Sequence, residues 1–159
     1  MVEVPFYLLL KQKAAQQYDV AFHLLTVTFP LAKDPKILIG LAQNIATAQE
    51  SAMEALLGYE RTLKLIPAYG SSFASKLSIF QQRTAKRHNF SPELTNSLVK
   101  LREVIEMHLR SPQEFPRGSR FIITDRNFRH LEPLSVADLK QHLQQTKTLL
   151  EHAERIIRS

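Results

Sequence analysis

The chain has 159 residues, 44% hydrophobic and 23% charged, a globular composition that rules out disorder, collagen and low-complexity readings. It has no cysteine, which removes disulfides, thiolate metal sites and cysteine nucleophiles, and its four glycines are few for a turn-rich all-β fold. The net charge of +6 is unevenly placed: residues 61–92 hold Arg61, Lys64, Lys76, Arg83, Lys86 and Arg87 and no acid.

Helix-start signals and breakers divide the chain into five helical segments, at about 5–31, 35–66, 72–87, 91–110 and 135–158. In the first, Pro30 is expected to end or kink the helix, because proline lacks a backbone donor and clashes with the preceding turn. Asp34 caps the second, with Pro35 at its first position. Its stripe of Ile37, Leu41, Ile45, Ala48, Ala52, Leu56, Tyr59, Leu63 and Ile66 recurs at spacings of three and four, the mark of one buried helix face. Pro67 closes it. The third starts at Ser71 or Ser72 and carries Phe73, Leu77 and Phe80 on one side. Its end, Gln81 to His88, is the densest basic stretch.

Ser91 caps the fourth segment, whose seam is Leu94, Leu98, Leu101, Ile105 and His108. Residues 111–134 break the helical pattern with three prolines and Gly118, and read as a short irregular or β-hairpin insertion, Phe121–Thr124 against Phe128–Leu131. The fifth segment opens with Ser135 as cap and Asp138 at the box position, then runs Val136, Leu139, Leu143, Thr146, Leu150, Ala153 and Ile157 along one seam. Long helices joined by short turns give an all-α fold: an up-and-down antiparallel bundle of about five helices, one domain over 1–159. The apolar run Pro5 to Leu10 is too short for a membrane span, and Glu3 stands where a signal peptide carries positive charge. The chain therefore reads as cytoplasmic.

Phosphate loops and HExxH motifs are absent from the sequence, and no two of its six histidines are four apart, so no metal or cofactor is expected. His142 and His152 are expected to be exposed or to flank the core. The basic residues Lys76, Arg83, Lys86 and Arg87, with Arg117 and Arg120 in the insertion, are candidates for phosphate contact; the competing reading is a solvated helix face. Arg102 and His108 carry the other chemical content. An arginine can hold phosphate, and a histidine near a helix C-terminus can exchange a proton near neutral pH. A structural histidine and an Arg102–Glu106 pair four residues apart explain the same residues.

The run Arg102-Glu-Val-Ile-Glu-Met-His108 resembles the signature of the HEPN superfamily: an arginine, four to six residues, then a histidine near the end of a core helix. The Ala- and Leu-rich helix around residues 48–57, the irregular segment after the motif and the last long helix are similar too. The resemblance implies a bundle of four or five helices, often dimeric. It also implies either a metal-independent RNase with Arg102 and His108 in a site composed from two subunits, or an inactive relative serving as antitoxin partner, nucleotide binder or scaffold. Active members commonly carry Asn, Asp or His after the arginine; here Glu103 follows, and its charge opposes phosphate. Two further classes stand beside an RNA-directed homodimer. One is a module that associates with itself or a partner protein through the seam of the last helix and the small residues Ala42, Ala46, Ala52 and Ala55. The other is a ligand-binding bundle using His23, Tyr59 and Tyr69.

Overall fold

A computed structural model describes residues 3–110, 113–117, 120–124 and 131–157, with side chains described for 3–107 and 135–157. The first helix runs Phe6–His23, widens into a π-turn at Leu24–Thr28 and finishes at Phe29–Ala32. Pro30 thus neither ends nor breaks it. The wide turn lies just ahead of the proline, where an ordinary turn would drive the ring into the Thr26 carbonyl. Lys33, at φ 53°, closes the helix in the left-handed conformation.

The second helix, Ile37–Thr62, follows a turn in which Asp34 Oδ1 accepts from the Lys36 amide at 3.0 Å. It stops four residues short of the expected end. Lys64 is left-handed at φ 60°, the Leu65 amide donates to the Glu60 carbonyl and the Lys64 amide to that of Arg61. That double return satisfies the last carbonyls ahead of Pro67. Leu63, beyond the helix, is consequently half exposed instead of core.

The third helix begins at Phe73, with Ser72 accepting from the Ser75 amide. It runs Phe73–Ile79, then a second π-turn at Phe80–Thr84, then Ala85–Arg87. Its end repeats the closure of the second: Asn89 is left-handed, and the Phe90 amide donates to the Ala85 carbonyl at 2.9 Å. Phe90 and Ala85 are both buried in one cluster, the apolar contact that accompanies this motif. The fourth helix is Pro92–Arg110 and the fifth Val136–Ile156; Ser91 and Ser135 accept from the amides three residues on.

Between these last two helices the chain forms a three-stranded antiparallel sheet, not a two-stranded hairpin. Strands β1 (Gln113–Arg117), β2 (Arg120–Thr124) and β3 (Leu131–Ser135) lie in sequence order. Pro116 and Pro133 fall in the two outer strands, where a missing donor costs no ladder bond, and the central strand has none.

The second helix is the hub, packing against the first, third, fourth and fifth. The core forms two clusters along the rods. One gathers Met53, Leu56, Leu57, Phe80, Leu94, Leu98 and Leu149; the other gathers Leu38, Leu41, Ile45, Leu101, Val104, Leu139 and Leu143. Near their junction lies a buried polar layer of Gln49, Ser97 and Thr146. Ala42, Ala52 and Ala55, proposed above for self-association, are wholly buried inside this single chain, and so is most of the fifth-helix seam. Those surfaces are already used by intramolecular packing.

Candidate functional site

Arg102 is held on three sides. Its Nη1 lies 3.4 Å from Glu50 Oε2, its Nε 3.3 Å from Glu106 Oε1, and its guanidinium sits 4.7 Å from the Phe73 ring centroid. Glu50 comes from the second helix and Phe73 from the third, so the arginine ties the fourth helix to both. It borders a small cavity of about 120 Å3 together with Gln49, Thr47, Leu98 and Ile105. Two carboxylates beside the guanidinium offset its charge, so a phosphate would gain less from it than from an unpaired arginine. His108 lies on the same helix, with its side chain outside the described set.

The basic stretch divides into paired and unpaired cations. Lys76 Nζ is 2.6 Å from Glu54 Oε1, and the Arg87 guanidinium donates to Glu60. Both were candidates for phosphate contact, and both are neutralised, because the second helix supplies acids that the 61–92 segment lacks. Arg83 and Lys86 are exposed and have no acidic partner among the described residues. Arg117 and Arg120 face each other across the β1–β2 register, and their side chains lie outside the described set.

Glu60 was not anticipated. It is buried to 1% exposure, and its carboxylate accepts from the Thr84 hydroxyl, from Arg87 and, at 3.1 Å, from His88 Nε2. Arg87 Nη2 also donates to the Leu65 carbonyl at 3.1 Å. This single acid clamps the end of the second helix to the end of the third. His88 stacks on Phe90, and Phe90 lies 4.4 Å from the His152 ring. Burial, then the neighbouring Arg155 and His88, pull His152 below the ordinary histidine value.

The buried layer is the second unanticipated feature. Gln49 Nε2 donates to Ser97 Oγ at 2.8 Å and to Thr146 Oγ1 at 3.0 Å. Thr146 passes its own hydrogen to the His142 carbonyl, and Ser97 Oγ lies 2.8 Å from His142 Nδ1. His142 is therefore neither exposed nor merely flanking. Burial lowers its pKa, with Lys100 acting in the same direction and Asp138 opposing. The sequence signal was present: Gln49 is four residues from both Ile45 and Met53, and Ser97 is three from Leu94 and four from Leu101, so each is a polar residue on an apolar stripe.

Ser97 and His142 open onto a groove of about 820 Å3 between the fourth and fifth helices. His23 is exposed, and neither it nor Tyr59 nor Tyr69 lines this groove or the Arg102 cavity. Among the described residues no cluster of His, Asp and Glu is arranged to hold a metal ion, and no helix is long and apolar enough to cross a membrane. No family model, curated protein or solved structure matches the chain.

Proposed function

We propose that this chain is a non-catalytic interaction module that pairs with a second copy of itself through the outer face of its first helix. One observation carries this reading. Of the nine large apolar side chains exposed among the described residues, seven lie between Val4 and Leu31. Phe6 is 70% and Leu31 82% exposed, with Leu9, Val20 and Val27 between them at 41–51%. Phe6 and Val20 fall at one heptad position with Leu9 three residues from the first, and Val27 and Leu31 stay exposed in and beyond the π-turn, so the side directed away from the bundle is apolar along its length. The inward side of the same helix is Ala14, Ala21 and Leu25.

Taking the roughly 150–250 Å2 of an aromatic side chain as an upper bound for each, these five leave at most about 600 Å2 to water, against about 800 Å2 per partner in a stable dimer. The Gln and Lys residues flanking the seam supply the polar rim. A second copy fits because the seam is self-complementary about a two-fold axis. Run antiparallel, Phe6 and Leu9 of one helix meet Val27 and Leu31 of the other. Parallel pairing would set Lys13 against Lys13. Because the chain has no cysteine, Gln16→Cys gives a single reporter near the axis. Under mild oxidation it should cross-link copies efficiently, and adding Leu9→Glu and Val20→Glu should abolish the cross-link while helical circular dichroism is kept. Cross-linking unaffected by both charges would overturn the reading.

A second reading is favoured by Arg83 and Lys86, two neighbouring exposed cations of the basic stretch without acidic partners among the described residues. Together with Arg117 and Arg120 they suit RNA phosphate, the partner class implied by the HEPN-like run. RNA should then be retarded at low salt, and Arg83→Ala with Lys86→Ala should reduce the salt slope by about 2. No retardation at low salt would end it.

A further inference from the structure

The groove between the fourth and fifth helices has a built inner wall. Gln49, Ser97 and Thr146 are almost fully buried, from three different helices, and their hydrogen bonds converge on His142. The order of those bonds assigns the imidazole tautomer. Ser97 Oγ accepts from the Gln49 amide, and His142 Nδ1 is the acceptor that the buried serine hydrogen meets among the described residues; with Nδ1 accepting, the ring proton sits on Nε2. Burial lowers the imidazole pKa and so favours the neutral ring. Nε2 has no partner among the described residues, and no buried side-chain nitrogen or oxygen among them is unsatisfied, so Nε2 is open to solvent. A neutral N–H donor is thus fixed in place before anything binds, which lowers the ordering cost of binding.

The outer walls carry carboxamides: Asn96 on the fourth helix, Gln141, Gln144 and Gln145 on the fifth. Each offers a donor beside an acceptor, the pairing that reads a purine or pyrimidine edge. Glu93 and Asp138 also line the groove, and their charge opposes a phosphate or carboxylate ligand despite Lys100 nearby. A volume of about 820 Å3 is within the range of small-molecule sites.

We infer that this groove binds a small neutral molecule with adjacent hydrogen-bond donors and acceptors, of nucleobase or nucleoside type, held by His142 Nε2–H and the carboxamides of Asn96 and Gln141. The inference is independent of pairing through the first helix, which lies on other residues. Apart from the His142 imidazole, the lining among the described residues offers no aromatic ring, so the base stacks mainly on Val104 and aliphatic stems, and affinity is modest.

The test is titration of the full chain with adenosine, uridine and adenosine monophosphate, followed by the imidazole resonances of His142. At least one nucleoside should shift them saturably below about 1 mM, and the monophosphate should bind more weakly than adenosine. His142→Phe should weaken binding at least tenfold. Asn96→Ala with Gln141→Ala, both exposed and outside the core, should do the same without altering helical content. No saturable shift with either nucleoside, tighter binding of the monophosphate, or binding indifferent to the Asn96 and Gln141 substitutions would overturn the inference.

Discussion

Removing the carboxylate of Glu60 should be among the most damaging single changes available in this fold. The acid is 1% exposed and accepts from Thr84, Arg87 and His88. Glu60→Ala leaves a guanidinium, a hydroxyl and an imidazole N–H without their acceptor. Breaking a fully buried ion pair from one side costs about 3–5 kcal/mol. Here Arg87 and His88 keep 31% and 22% of their side chains exposed, so water replaces part of what is lost. An estimate of about 2–4 kcal/mol follows for this half-wet cluster, or a fall in Tm of roughly 4–16 °C for a chain this long. Chemical denaturation at fixed protein concentration measures it. Glu60→Gln, which keeps one acceptor and the volume, should lose about half as much. A double-mutant cycle with Arg87→Met should show coupling of at least about 1 kcal/mol. A loss under about 1 kcal/mol for Glu60→Ala, or strict additivity with Arg87→Met, would show that the clamp between the second and third helices is not what the geometry indicates.

Two other outcomes can be checked on the same apparatus. Lys64 holds φ 60° at the end of the second helix, so Lys64→Gly should stabilise by about 0.5–1 kcal/mol in denaturant melts, and Leu63→Gly, at ordinary φ, should not. Stability should also fall in acid for a defined reason. The folded-state pKa values of His142 and His152 lie below the ordinary 6.5, so the unfolded chain takes up their protons first as pH drops. Stability from these groups is complete above about 6.5 and declines below it, by at most about 1.4 kcal/mol per pH unit for each. His142→Gln should flatten that slope in melts between pH 7 and pH 5; an unchanged slope would contradict the burial of His142.

Helix existence was legible in the sequence because local signals agreed with packing. Ser72, Ser91 and Ser135 each stand three residues before the amide they cap, and the apolar spacings name most of the buried face. Boundaries were less legible. Pro67 marks a stop, but the second helix is closed earlier by Lys64 turning left-handed, a conformation that lysine does not advertise. Pro30 looked like a breaker, yet a widened turn absorbs it. The site was hardest to read. Segment charge ignores what faces it in space, so Lys76 and Arg87 looked free while Glu54 and Glu60 waited on another helix. Arg102 did meet Glu106 four residues on, and gained Glu50 and Phe73 from helices that sequence spacing cannot place beside it. Gln49, Ser97 and Thr146 interrupt apolar stripes, and only their mutual distances reveal a connected layer.

The exposed seam on the first helix is the feature on which the functional reading depends, and solution mass tests it without any substitution. Sedimentation equilibrium of the unmodified chain, from low to high micromolar concentration, should give a mass rising to twice 18.3 kDa and no further. A constant 18.3 kDa over that range would contradict pairing through this face, as would growth without limit, since a two-fold contact closes after two copies.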